Sequence, residues 1–179
     1  HVRALGHGGD FATYYYATRV AWQGEDPYET SLLERAARAD GTRRHVHPFL
    51  YPPPFLGAMA WAVPLSLATA SEVFFWVNQA SVLVLLWAFR RWFAAEVAIL
   101  ALLLTTYSPV VDSVRVGQAN LPVLLLAILG LCRNRAEGVA AAAMAKLSPV
   151  LYLVPWLARG AWRRAGIALV TALALSLAV

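Results

Sequence analysis

Charge is what this sequence has least of. Only 14% of its 179 residues are Asp, Glu, Lys or Arg, against roughly 25% in an ordinary soluble domain. Apolar residues make up 60%, so the composition excludes a soluble or disordered chain and assigns the protein to lipid. Lysine occurs once, as Lys146, and cysteine once, as Cys132. A single thiol excludes an internal disulfide; with no histidine near it in sequence, Cys132 reads as a packed small residue and not a nucleophile. Internal repeats and low-complexity linkers are also missing. No basic stretch followed by an apolar one opens the chain, so no signal peptide is read there. The chain begins at His1 and ends in mid-apolar run at Leu177, Ala178 and Val179, so both ends read as cut.

The charge that is present is topological. The formal net charge of +5 comes almost wholly from arginine, and its excess lies in the second half beside apolar runs, which excludes a nucleic-acid footprint. Residues 72–89 would rise about 27 Å as a helix, close to the roughly 30 Å of bilayer hydrocarbon. Arg90 and Arg91 follow at once, so the positive-inside rule puts that end in the cytoplasm and everything before residue 72 outside. Residues 96–108 and 121–132 read as an up-and-down pair joined by an outer loop, 109–120, and closed by Arg133 and Arg135. The apolar run 138–157 is broken by Lys146, Ser148, Pro149 and Pro155 and followed by Arg159, Arg163 and Arg164. It is therefore expected to re-enter around Ser148-Pro149, with another span starting at Gly166.

The fold expected is all-α: a polytopic membrane helix bundle with an outer-face loop carrying short interfacial helices. Residues 1–70 would be that external loop and 71–179 the transmembrane part. Residues 1–50 hold six acidic and six basic residues and read as water-facing or interfacial. Within them 31–39 reads as a short amphipathic helix, with Ser31 as N-cap and Glu34 completing a capping box. Tyr51-Pro52-Pro53-Pro54 cannot continue a helix but can start one, and the segment from Phe55 to Ala68 would be a partly inserted helix bent at Pro64.

Four clusters carry chemistry: Gly8-Gly9-Asp10-Phe11, Tyr51-Pro52-Pro53-Pro54-Phe55, Gly117-Gln118-Ala119-Asn120 and Lys146-Leu147-Ser148-Pro149. The first three share the outer face of the expected topology. A carboxylate on a glycine-preceded turn can act as a general base toward a sugar hydroxyl; alternatively Asp10 caps a helix beginning at Phe11. Gln118 and Asn120 offer paired amides suited to sugar hydroxyls or phosphate oxygens, or else simply cap the helix at Leu121. Lys146 lies in an apolar run, where a charge costs roughly 2.5–3.5 kcal/mol on insertion scales. It either serves a ligand or snorkels to the interface. Arg115 can pair with a phosphate or with Asp112. Trp22 and Tyr28 can stack on a sugar ring, although most aromatics here read as packing or interfacial belt. His45 and His47 share one face of an extended segment but have no third ligand nearby, so no metal site is expected.

In their order, Asp10-Phe11 with Tyr15, Gly24 with Asp26-Pro27-Tyr28, Tyr51-Pro52-Pro53-Pro54, Gly117-Gln118-Ala119-Asn120 and Lys146-Leu147-Ser148-Pro149 resemble the polyprenyl-phosphate-mannose-dependent mannosyltransferases, glycosyltransferase family 87 of the GT-C superfamily. The resemblance implies a multi-pass enzyme of the cell membrane, of which this chain is an N-terminal fragment. Such an enzyme moves a sugar from a polyprenyl-phosphate donor to a lipid-linked or glycan acceptor on the outer face. It implies Asp10 as catalytic base and Tyr15, Tyr28, Tyr51, Arg115, Gln118, Asn120 and Lys146 as substrate-binding. Membrane lipids and the two substrates are the expected partners. No cofactor or metal is expected, since no DxD-type motif is present and a monophosphate donor needs none. Related membrane enzymes use polyprenyl-phosphate arabinose, and broken helices with an intramembrane lysine also occur in transporters and flippases. A non-catalytic scaffold would instead leave Asp10, Gln118 and Lys146 apart in space.

Overall fold

The computed structural model describes residues 9–42, 45–93, 96–133, 135–146 and 148–177. Gly8, Leu147, Ala178 and Val179 of the segments considered above lie outside them. All regular structure among the described residues is helical, as expected. The first helix, α1 (Gly9–Trp22), is also the most enclosed. Phe11, Tyr14, Tyr15, Tyr16, Ala17 and Val20 are all buried, so this part of the segment read as water-facing or interfacial is the centre of the main core. The reason is that a phenol brings a large apolar ring and one hydroxyl that must find a partner. Here each hydroxyl has one: Tyr15 donates to the Leu65 carbonyl at 2.7 Å, while Tyr14 meets Tyr51 and Tyr16 meets Thr42.

Around α1 pack α2 (Thr30–Ala39) and α3 (Pro53–Met59). Leu33 and Ala37, four residues apart on one face of α2, are its buried residues, which is the amphipathic spacing read from sequence. The expected capping box does not form. The N-cap is Glu29, and Ser31 lies inside the first turn, donating to the Glu29 carboxylate at 2.5 Å. Two prolines open α3 at positions where an N–H would be unpaired anyway. After a short 3-10 turn, Ala60–Ala62, the chain breaks around Pro64, held there by the bond from Tyr15 to Leu65.

The long helix α4 (Leu67–Phe93) has 27 residues, about 40 Å at 1.5 Å per residue. It begins before the boundary expected at residue 70. Leu67–Trp92 is long and apolar enough to cross a membrane, and its outer face leaves Trp76 and Leu83 60% and 67% exposed. Next come α5 (Val97–Thr106) and α6 (Ser108–Val116), bent by 61° about the extended Tyr107. Most of the outer loop expected over 109–120 is therefore helix, started by Pro109 in the first turn and stopped by Gly117 at φ 72°. Among the described residues one helix, or two if this bent pair is a single span, meets the length and apolarity of a crossing. The polytopic part of the expected architecture is thus met only that far.

The remainder is a hairpin with a broken return. Helices α7 (Asn120–Cys132) and α8 (Ala136–Ala145) meet so closely that a Cβ on Gly138 would lie 2.8 Å from the Gly130 Cα. Small residues permit this approach. At Lys146 the backbone turns extended, then continues as a 3-10 segment, Ser148–Tyr152, into α9 (Leu153–Ala158). This is the break expected around Ser148-Pro149. Finally α10 (Trp162–Leu177) packs its Ala168 into a small second core with Ala136, Val139, Ala140 and Trp156.

Candidate functional site

Three helix ends and one turn converge on a line of polar side chains. Asp10 lies in the first turn of α1, where the helix dipole favours a negative charge. It is not the cap of a helix beginning at Phe11, because α1 already includes Gly9. Across 108 residues of sequence, Gln118 Nε2 donates to Asp10 Oδ2 at 2.7 Å. Gln118 reaches it because Gly117 ends α6 in the left-handed region and swings the chain back, with the Gln118 N–H on the Ser113 carbonyl at 2.7 Å. Asn120, the first residue of α7, donates Nδ2 to Gln118 Oε1 at 2.5 Å and to Ser113 Oγ at 2.9 Å. Lys146 Nζ then donates to Asn120 Oδ1 at 2.5 Å. This ammonium follows the last turn of α8, the end at which the dipole favours a cation.

All four side chains are half-buried. A scaffold that kept Asp10, Gln118 and Lys146 apart is not what this chain builds. Sequence reasoning missed Ser113, which is buried and anchors the turn by donating to the Pro109 carbonyl at 2.7 Å. Its only signal was a hydroxyl five residues before Gln118, on a stretch read as loop.

Asn120 and Lys146 also form the polar end of a cavity of about 330 Å³. The other walls are mostly apolar, including Val123, Leu124, Ala127 and Leu151. A cavity of this size with one cation, one amide and the hydroxyl residues Ser148 and Tyr152 among apolar side chains suits a ligand that is anionic at one end and greasy at the other.

On the far side of Asp10 lies a second group. Tyr14, one turn along α1, shares a 2.6 Å hydroxyl contact with Tyr51. Burial, then the Tyr51 hydroxyl, then the charge of Asp10 all push the Tyr14 phenol up from its ordinary value. Burial and Asp10 also raise Tyr51, opposed by its bond to Tyr14. Both are therefore neutral phenols at physiological pH. Tyr28 donates to the Tyr51 carbonyl at 2.9 Å and tilts against Phe49, so it braces the proline-rich turn while the residue stays 44% exposed.

Two expected residues stand apart. Tyr15 is in the core with its hydroxyl on Leu65 and on Arg19, a position that supports the fold. Arg115 is exposed, and among the described residues it makes no ion pair with Asp112, whose carboxylate accepts from Ser108 Oγ at 3.0 Å. His45 Nδ1 lies 2.8 Å from Glu34, with the His47 ring edge-on beside it. Trp22 is largely exposed at the end of α1, and Cys132 ends α7 as a free thiol.

Residues 49–179 match the family model of Glycosyltransferase family 87. Tyr51, Arg115, Gln118, Asn120 and Lys146 fall within the matched segment, while Asp10, Tyr15 and Tyr28 precede it. No curated protein and no solved structure matches the chain.

Proposed function

The chain belongs to glycosyltransferase family 87, and from that premise we propose that it moves mannose from a polyprenyl-phosphate donor to a lipid-linked or glycan acceptor, with Asp10 as general base. The observation that carries this reading is the unbroken hydrogen-bonded line from the Asp10 carboxylate through Gln118 and Asn120 to the Lys146 ammonium, with its cationic end in an apolar cavity. The cavity's chemistry matches a polyprenyl phosphate, whose prenyl chain prefers apolar walls and whose phosphate prefers Lys146.

In this mechanism the acceptor hydroxyl loses its proton to Asp10 as its oxygen attacks the anomeric carbon. The bond from that carbon to the phosphate oxygen breaks on the opposite face, and polyprenyl phosphate leaves. Lys146 stabilises the negative charge that grows on the leaving phosphate, a role that is strongest where water is excluded. Attack from the opposite face inverts the anomeric centre, so a β-linked donor gives an α-glycoside. Tyr51 and Tyr28 form the acceptor-side wall, and Arg115, at the exposed rim, meets the phosphate or the acceptor as they enter.

The membrane arrangement follows from charge. Asn120 and Lys146 lie at one end of the α7–α8 hairpin, and Arg133 and Arg135 at the other. Placing those arginines in the cytoplasm puts the site on the outer face of a multi-pass protein.

The test is transfer from radiolabelled polyprenyl-phosphate mannose in membranes carrying the full-length protein. Asp10→Asn is expected to lower kcat by about 10²–10⁴ while donor binding stays within about threefold. Lys146→Ala is expected to weaken donor binding by tenfold or more, about 1.4 kcal/mol. Retained turnover in Asp10→Asn removes it from the mechanism, and unchanged donor affinity in Lys146→Ala removes the phosphate role. Transfer from polyprenyl-phosphate arabinose but not mannose would reassign the sugar.

A further inference from the structure

Resting on the donor and acceptor roles just given, we propose that Asn120 and Gln118 are positioning residues. They form an amide relay of fixed polarity that aims the Asp10 carboxylate at the acceptor and ties its orientation to Lys146.

The polarity is forced by the two ends. An ammonium can only donate, so Asn120 must turn Oδ1 toward Lys146. That leaves its Nδ2, whose two hydrogens reach Gln118 Oε1 and Ser113 Oγ. Gln118 is then obliged to present Nε2 at its other end, and a carboxylate, which only accepts, is what it meets. Every donor in the line points from the cation toward the anion. Reversing either amide would set donor against donor or acceptor against acceptor in a half-buried site, leaving polar groups unpaired.

Ser113 locks the arrangement from the side, accepting from Asn120 and donating to the Pro109 carbonyl. The amides are therefore occupied with each other and with the two charged groups. Their role differs from the direct sugar or phosphate contact expected from their chemistry alone. Gln118 holds Oδ2 of Asp10, so the acceptor hydroxyl is met by the other carboxylate oxygen.

The discriminating substitution is Gln118→Leu in the full-length membrane protein. It leaves Lys146 and Asn120 in the cavity wall and removes the hydrogen that Asp10 receives. Donor KM, and the affinity for polyprenyl phosphate alone with its binding stoichiometry, are expected to stay within about threefold, while kcat falls about 100-fold or more. Turnover is counted per polyprenyl-phosphate-binding site, so unfolded protein does not enter kcat. A kcat within threefold of wild type, or donor affinity falling in step with kcat, overturns the relay.

A second measurement needs no substrate. Melting temperatures of Asp10→Asn, Lys146→Met and their double variant are expected to be non-additive, because both changes break one line. In a Gln118→Leu background the same cycle is expected to be additive; equal coupling in both backgrounds, or none in either, overturns the relay. Should the wild type neither transfer sugar nor bind polyprenyl phosphate, the proposed function falls, and the melting cycle alone decides the relay.

Discussion

Helices α1 and α4 are organised in opposite senses. The first contains three consecutive tyrosines, two threonines, an aspartate and an arginine, yet most of its side chains are buried. The second is the longest helix among the described residues and leaves Val73, Trp76, Val77, Leu83, Val84 and Trp87 uncovered along much of its length. In water this would be inside out. In lipid it is the expected economy: apolar side chains gain little by leaving hydrocarbon, so association relies on close packing and on polar groups that find partners inside. The Tyr14–Tyr51 and Tyr15–Leu65 bonds are such partnerships. This contrast also explains why the polar line is at the edge of the α1 core and not on α4.

The largest effect that would sharpen the contrast is expected from Tyr16→Ala. Its ring is fully enclosed and its hydroxyl is bonded to Thr42, so the loss should be about 3–5 kcal/mol, in the range of aromatic truncations in cores. Denaturation of the detergent-solubilised protein, compared with wild type, measures it. A change below 1 kcal/mol would mean that the α1 core is not what holds the chain together.

Tyr14→Phe should cost less, about 1–2 kcal/mol, by stranding the Tyr51 hydroxyl. It also carries a pH signature. Burial raises the Tyr14, Tyr16, Tyr28 and Tyr51 phenols above their ordinary value of 10.0. Their contribution to stability is therefore complete below pH 10 and is lost as pH rises beyond it, because the unfolded chain gives up those protons first. Melting temperature should fall above pH 10, and less steeply in Tyr14→Phe; identical slopes would separate Tyr14 from the titration.

The smallest effect is expected from Leu83→Ala on the uncovered face of α4. At 67% exposure its truncation should change stability by no more than about 0.5 kcal/mol. A loss comparable to that of Tyr16→Ala would show that another surface covers this face in the folded protein, and the contrast between the two helices would disappear.

Much of this architecture was legible beforehand. The apolar run ending at Arg90 and Arg91 announced α4, the prolines announced the start of α3 and the breaks near residues 64 and 148, and a lysine alone in an apolar run marked the cavity. Other features were hidden for identifiable reasons. The helix Ser108–Val116 was read as loop because its few polar residues and its proline resemble a turn, although proline in a first turn is permissive. Ser31 is inside α2 instead of capping it, since Glu29 had already taken that place. Tyr15 was grouped with the site through the family resemblance; helical rotation places it in the core, with Asp10 and Tyr14, four apart, on the site's side.

The sequence by itself determined the all-helical class, the long apolar helix before Arg90 and several proline-marked breaks, because residue type and hydrophobic spacing act locally. Only the tertiary structure decided that Asp10, Gln118, Asn120 and Lys146 form one line and that Ser113 supports it. Those contacts join α1, the turn after α6, α7 and α8 across long stretches of chain. Their direction depends on which hydrogen-bonding groups meet once the helices have packed, and local spacing holds no record of that meeting.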